Sequence, residues 1–309
     1  MRAVVYVNGV VTEARDAVVP VYDHGFLYGE GVYETLRTYF REPFLFDRHF
    51  RRLTRSAAQM ALDVPFSGDE LLARVRATMA AADGPAREVG GPDPSASDAY
   101  IRILLTRGVG ELTYSLAACP VPTLVIIVKP YVAPPERTFS EGIRISLVGI
   151  RRNHPAALNP MIKSNNLLNN ALAMQEALGR GAEEALMRNQ AGEIVECSQS
   201  NVFIVRQGVV LTPPLEAGLL PGITREFVLE LAADLGLEAR EAPVSPAELL
   251  SADEVFLTGT NREVTPVVHV DETRIAQGRP GAVTIRLLSA FRDRVQTLTR
   301  SAASSATSA

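Results

Sequence analysis

Lysine is nearly missing from this chain: 29 of its 31 basic residues are arginine, and only Lys129 and Lys163 are lysine. Cysteine is scarce too. Cys119 and Cys197 lack metal-ligand spacing, and the four histidines are dispersed, so no zinc pattern can be read and a metal-free protein is expected. No apolar run reaches the length of a membrane span. The opening Met1-Arg2-Ala3-Val4-Val5-Tyr6 lacks a long apolar signal core, so a soluble, cytoplasmic protein is expected. Positive charge is not in excess. The 31 basic and 35 acidic residues leave a net charge of −4, which favours neither nucleic acid nor an anionic membrane as a partner. There is no internal repeat and no GxGxxG or GxxxxGK[ST] loop, which disfavours Rossmann and P-loop chemistry.

What is present is a 309-residue chain with 47% apolar and 21% charged residues, enough for one large or two ordinary domains with a substantial core. Val4–Val7, Asn8-Gly9 and Val10-Val11 form a hairpin signal. Residues 32–39 alternate like a half-buried strand, and Asp47 is read as the cap of a helix bearing Phe50, Leu53, Ala57 and Met60 on one face. A second helix is expected near 69–82, then a Pro/Gly/Ser-rich loop near 84–98. Strands follow at 101–105 and 124–128. Pro130, Pro134 and Pro135 then mark a linker. Beyond it are a strand at 143–148, a helix after Lys163 ended by Gly179, and a hairpin at 201–206 and 209–211. A helix near 224–235, strands near 254–258 and 264–270 and a helix near 284–298 complete the chain. Hairpins mixed with separated helices predict an α+β fold. Its expected parts are a small domain at 1–129, a linker at 130–136, a large domain at 137–300 and a disordered tail at 301–309.

The scarcity of lysine gives the two that remain their interest, because arginine cannot act as a deprotonated amine nucleophile. Lys129 ends the apolar run Val125–Val128. Lys163 stands in Met161-Ile162-Lys163-Ser164-Asn165-Asn166-Leu167, at a strand-to-helix junction of the kind that carries a Schiff-base lysine. Arginine-biased codon usage explains two leftover lysines equally well, and composition alone does not separate the readings. Three further stretches bear on it. Gly222-Ile223-Thr224-Arg225 opens a helix whose free N–H groups suit a phosphate, or it is a plain capped helix. Leu257-Thr258-Gly259-Thr260-Asn261 adds hydroxyls and N–H groups at a strand end, or is a simple polar turn. Glu196, between apolar strands, needs a partner if buried; a protonated pyridine nitrogen is one, solvent at a strand end the other.

Together these motifs resemble the class IV aminotransferases, the fold-type IV pyridoxal phosphate enzymes. The resemblance rests on Ile162-Lys163-Ser164-Asn165-Asn166, on Val195-Glu196-Cys197-Ser198-Gln199-Ser200-Asn201-Val202-Phe203 and on Leu220-Pro221-Gly222-Ile223-Thr224-Arg225. It extends to Ala252-Asp253-Glu254-Val255-Phe256-Leu257-Thr258-Gly259-Thr260, Glu263-Val264-Thr265-Pro266-Val267, Asp23-His24-Gly25-Phe26-Leu27-Tyr28-Gly29-Glu30-Gly31-Val32-Tyr33-Glu34-Thr35 and His49-Phe50-Arg51-Arg52-Leu53. It covers nearly the whole chain in order. It implies a two-domain fold whose larger domain has a β-barrel-like core, pyridoxal 5'-phosphate as cofactor and a homodimer. It also implies a Schiff base at Lys163, which doubles as proton shuttle, with Glu196 on the pyridine nitrogen. Arg52, Gly222, Ile223, Thr224, Gly259 and Thr260 are implied as the phosphate site, and Leu220 as packing on the ring. One departure is Leu167, where branched-chain enzymes place a tyrosine on the ring hydroxyl.

The substrate signals are mixed. Tyr100-Ile101-Arg102 and Tyr28 resemble branched-chain enzymes, while Tyr33-Glu34-Thr35 looks more like D-amino acid or amine enzymes. The Arg-x-His carboxylate trap of D-amino acid enzymes, expected near Leu112-Thr113-Tyr114, is missing. Asn261-Arg262 is placed to reach a substrate carboxylate. The expectation is transfer of an amino group from an L-branched-chain-type amino acid to 2-oxoglutarate in a ping-pong reaction. The alternatives are a D-amino acid or (R)-amine transaminase, and an aminodeoxychorismate lyase using Arg262 or Arg107 for a second carboxylate. A non-catalytic cofactor-binding protein is the reading from a different class, and the presence of both Lys163 and Glu196 argues against it.

Overall fold

The computed structural model describes residues 1–83 and 97–306, with the backbone alone from residue 300 onward. The chain divides into two compact units, Met1–Val132 with Ile162–Asn166 and Val295–Ala309, and Ala133–Met161 with Leu167–Arg294. The change of unit falls inside the expected linker. The assignment of residues 162–166 to the first unit departs from the sequence reading, which put Lys163 in the large domain.

The first unit contains β1 (Val4–Val7), β2 (Val10–Glu13), α1 (His24–Leu27), β3 (Gly31–Tyr39), β4 (Glu42–Pro43), α2 (Phe46–Ala58), α3 (Gly68–Asp83), β5 (Ala99–Thr106) and β6 (Thr123–Pro130). Its six strands are ordered β2-β1-β6-β5-β3-β4, and every pairing is antiparallel. Alternation along the strands separates two faces. Ile101, Ile103 and Leu105 of β5 join Val32, Leu36, Leu53, Leu71 and Val75 in the core, each contributing about 2 kcal/mol by burial. Tyr100, Arg102 and Leu104 point the other way, opposite Arg37, Thr35 and Tyr33 of β3. The helix cap on α2 differs from expectation: Leu45, in the left-handed region at φ 52°, precedes the helix, and Asp47 lies inside its first turn. There the carboxylate meets the positive end of the helix dipole rather than capping an N–H.

The second unit contains α4 (Arg137–Ser140), β7 (Ile143–Arg151), α5 (Leu168–Gly179), β8 (Glu184–Arg188), β9 (Ile194–Cys197), β10 (Asn201–Arg206), β11 (Val209–Thr212), α6 (Ile223–Asp234), β12 (Ala239–Glu241), α7 (Pro246–Leu250), β13 (Glu254–Gly259), β14 (Glu263–Val270), β15 (Thr273–Arg274) and α8 (Ala282–Ala306) as far as Arg294, the helix from Val295 onward being counted with the first unit. The strand order is β12-β11-β10-β13-β14-β7-β8-β9, with β15 on β14. In a flat sheet β9 and β10 would lie five strand spacings apart, about 24 Å. Only Ser198, Gln199 and Ser200 join them, a reach of about 14 Å at most. The sheet therefore curls on itself, which is the barrel-like core expected of the larger domain. Strand β8 went unread in the sequence, and β9 was read only as an apolar strand end at Glu196. Helix α8 reaches Ala306, past residue 301 where a disordered tail was expected: alanine is the best helix former, so an Ala/Ser run prolongs a helix already nucleated. Residues 84–96 of the expected loop and 307–309 of the expected tail lie outside the described residues. Among the described residues no helix is long and apolar enough to cross a membrane, and no His, Cys, Asp and Glu group could hold a metal ion.

Candidate active site

In the first unit the lysine segment is fastened to the start of β3. Tyr33 N donates to Lys163 O at 2.9 Å and Asn165 N to Gly31 O at 2.9 Å, while Lys163 N donates to Ser56 Oγ on α2 at 3.2 Å. Gly31 permits this approach, because a Cβ there would lie 2.5 Å from Asn165 Nδ2. Lys163 is half-buried, with Nζ 4.4 Å from the centroid of the Tyr33 ring. The Arg102 guanidinium lies 4.1 Å from the same centroid, within cation–π range. Thr35 is directly across the sheet from Arg102. Lys163, Tyr33, Thr35 and Arg102 are thus brought together. Tyr100 shares their face but lies farther along, against Lys129 Nζ at 4.9 Å. Tyr28 packs on His24 and Tyr114.

On the opposite face of β3 Glu34 is buried against α2. Arg52 grips it with Nε at 2.8 Å and a terminal nitrogen at 2.7 Å, and His49 Nδ1 lies at 2.6 Å. Burial alone raises a carboxyl, but Arg52 and then His49 outweigh it and hold Glu34 at about 2. Burial also lowers His49 from its ordinary value, against the opposite pull of Glu34. Arg107, weighed for a second carboxylate, is buried, pairs with Glu30 and donates to the carbonyls of Met60 and Ala61.

The second unit holds Glu196 buried on β9. Arg152 Nε donates to its Oε1 at 2.7 Å, while Leu220 N at 3.1 Å and Asn201 Nδ2 at 3.3 Å donate to Oε2. Arg152 also reaches Asn169 Oδ1 at 3.1 Å. Arg152, Asn169 and Asn201 escaped the sequence reading. Gly222 precedes α6 without a side-chain cap, so the first-turn N–H groups, those of Ile223 and Thr224 included, have no intrahelical carbonyl. A Cβ on Gly222 would lie 1.9 Å from Asn201 Oδ1, which ties the glycine to the Glu196 network. Arg225, in the same motif, is committed to Thr212, Pro213 and Glu241. At the β13–β14 turn, a Cβ on Gly259 would lie 3.5 Å from Gln199 O, Thr260 and Asn261 follow half-buried, and Thr258 Oγ1 is buried with no partner among the described residues. Arg262 does not stand free for a substrate: its terminal nitrogen is 3.1 Å from buried Glu184 Oε2.

Each unit by itself offers groups that fit part of a phosphorylated pyridine aldehyde. In the second unit the uncapped N-terminus of α6 and the orphaned Thr258 hydroxyl suit an anion and Glu196 suits a protonated ring nitrogen; in the first unit Lys163 is a half-buried amine.

The family model for amino-transferase class IV matches residues 31–270. A putative branched-chain-amino-acid aminotransferase of Methanocaldococcus jannaschii is 37% identical over 289 residues, covering 94% of this chain and 95% of that one. A D-alanine aminotransferase of Listeria monocytogenes is 32% identical over 298 residues, covering 96% of each. Among solved structures, the T.th. branched-chain amino acid aminotransferase with pyridoxamine 5'-phosphate superposes with a TM-score of 0.86 at 29% identity, covering 96% of this chain and 94% of that one.

Proposed function

The chain belongs to the class IV aminotransferases, and on that premise we propose that it moves the amino group of an L-branched-chain-type amino acid to 2-oxoglutarate with pyridoxal 5'-phosphate. The observation that carries the acceptor reading is the shared Tyr33 ring, with the Lys163 amine and the Arg102 guanidinium both against it. An amine that handles the α-carbon proton and a cation for a carboxylate then stand on one platform. The branched-chain relative supports the donor reading.

When bound, the cofactor supplies an electron sink for the bond broken at the substrate α-carbon. Lys163 Nζ would hold the aldehyde of the cofactor and would carry the α-carbon proton, taken from the donor in one half of the exchange and delivered to the acceptor α-carbon in the other. Its backbone is held by β3 and Ser56, so the amine works from a fixed base. Glu196 Oε holds a proton at the pyridine nitrogen, with Arg152 as its counter-charge. Arg52, the N–H groups of Ile223 and Thr224, and Gly259 with Thr260 bind the phosphate, and Leu220 packs on the ring. Arg102 binds the γ-carboxylate of the acceptor, with Tyr28, Tyr33, Thr35, Tyr100 and Asn261 around the substrate. A homodimer belongs to the proposal. Exposed Phe26, Val109, Leu112, Tyr114 and Leu116 form apolar surface in two adjoining segments, of the kind that a partner subunit covers.

A D-amino acid transaminase is the second reading, supported by the D-alanine relative. The lyase reading lacks a second carboxylate contact from Arg107 or Arg262, since both are committed to protein partners. The deciding experiment measures glutamate formed from 2-oxoglutarate with L-leucine, D-alanine or an (R)-arylamine as donor, in the parent protein and in Arg102→Ala. Fastest transfer from L-leucine is expected, with Arg102→Ala raising KM for 2-oxoglutarate far more than for pyruvate. Faster transfer from D-alanine or the amine, or equal effects on the two acceptors, overturns the substrate assignment.

A further inference from the structure

Glu184 has no part in the reaction proposed above, yet it is a fully buried carboxylate at the meeting of two turns that do. Its Oε1 accepts from Ser198 Oγ and from Ala185 N at 3.0 Å, and its Oε2 from Ser200 Oγ at 3.3 Å. Both serines belong to the turn that joins Glu196 on β9 to Asn201 on β10. Arg262, 3.1 Å from Oε2, closes the β13–β14 turn. Arg262 N donates to Gly259 O at 3.0 Å and Thr265 Oγ1 to Arg262 O at 2.6 Å, so its backbone is fixed to the turn that carries Thr260. A terminal nitrogen of Arg262 also donates to Glu183 O at 3.3 Å.

The two turns thus share one carboxylate. A buried charge persists only where it is paired and hydrogen-bonded, and here every partner but Ala185 N comes from one turn or the other. We propose that Glu184 and Arg262 are positioning residues. They clamp the turn at 198–200 to the turn at 259–262 and so set the spacing between Glu196, assigned to the ring nitrogen, and Thr260, assigned to the phosphate. The inference rests on the cofactor reading above and replaces the expectation that Arg262 binds a substrate carboxylate.

The test compares parent protein, Arg262→Ala, Arg262→Lys and Glu184→Gln. Two quantities are measured: the Kd of pyridoxal 5'-phosphate by absorbance titration, and KM for 2-oxoglutarate and pyruvate at saturating cofactor. Arg262→Ala and Glu184→Gln are expected to weaken cofactor binding at least about tenfold, the effect of one lost charge-assisted hydrogen bond. Arg262→Lys should restore most of it, and the KM values for the two acceptors should move together. The proposal is overturned if the folded fraction of Arg262→Ala binds cofactor like the parent while its unfolding midpoint drops, the mark of a merely structural pair. It is equally overturned if only KM for 2-oxoglutarate rises. Arg262→Lys keeps a folded sample in hand if the alanine variant fails to fold, and lysine binding tenfold weaker, with no rescue, also counts against the clamp. A parent protein that takes up no cofactor brings down the proposed function and the clamp together, whereas tight parent binding with unaffected variants brings down the clamp alone.

Discussion

Glu34 and Glu196 are two buried carboxylates, each gripped by an arginine, and the way each grip is built separates support from chemistry. Glu34 draws its side-chain partners, two nitrogens of Arg52 and one of His49, from a single helix. Its effect is to fix α2 against β3 and to aim one guanidinium. Glu196 draws on three separate segments: Arg152 after β7, Asn201 at the start of β10, and the backbone at Leu220 before α6. A carboxylate tied to one helix can be replaced at the cost of stability. One that gathers three loops around itself organises a site.

The comparison can be broken most directly by changing what each carboxylate serves. The largest effect is expected at Lys163, whose replacement by alanine should lower transamination more than about 10³-fold, as for other residues that act directly in a reaction. The unfolding midpoint should stay near that of the parent; substantial residual turnover would remove the lysine from the reaction. Next comes Glu196→Gln, expected to lower kcat by about 10²-fold with a modest change in urea midpoint. Glu34→Gln should show the reverse balance. It leaves the Arg52 guanidinium buried without its counter-charge, a loss of about 3 kcal/mol, read as a lower urea midpoint. If Glu34→Gln loses activity but no stability, or Glu196→Gln the opposite, the division of roles fails.

Legibility followed the same line. The β3 register was readable as a half-buried alternating strand, and that alternation places Glu34 in the apolar phase with Val32 and Leu36. A carboxylate in that phase signals a buried ion pair, and the signal was there to be used. The motifs around Lys163, Glu196, Gly222 and Thr260 stand out in the sequence because several short polar spans follow one another in one family's order, which no one of them shows alone. Arg152 was not, because one arginine of the pair Arg151-Arg152 gives no sign of turning inward; only the curl of the sheet decides it. Arg262 was read as free because its partner Glu184 lies 78 positions away, on β8, which the sequence did not reveal as a strand. The short strands β8 and β9 depend on tertiary pairing rather than on local pattern.

Acid sharpens the comparison from the side of Glu34. Its folded value of about 2 lies below the ordinary 4.5, so the stability it contributes is present above pH 4.5 and lost as pH falls through about 2. By linkage this amounts to about 3 kcal/mol. The gap in unfolding free energy between parent and Glu34→Gln should therefore be full at neutral pH and close steadily in acid. A gap that stays constant to pH 2 would mean that Glu34 is not held by charge.

The smallest effect belongs to His49. Its hydrogen bond to Glu34 is one of three on that carboxylate, and Arg52 keeps its own two when the ring is removed, so His49→Gln should cost only about 1 kcal/mol. Its pH signature is more telling than its size. Burial holds the folded imidazole below its ordinary value of 6.5, so below that pH the unfolded chain binds more protons than the folded one, and stability falls as pH drops through 6.5. In His49→Gln that early decline should vanish while the later loss through Glu34 remains. Urea unfolding at pH 7.5, 6 and 5 reads this directly. An unchanged slope in the variant would show that the early decline does not come from the His49 imidazole.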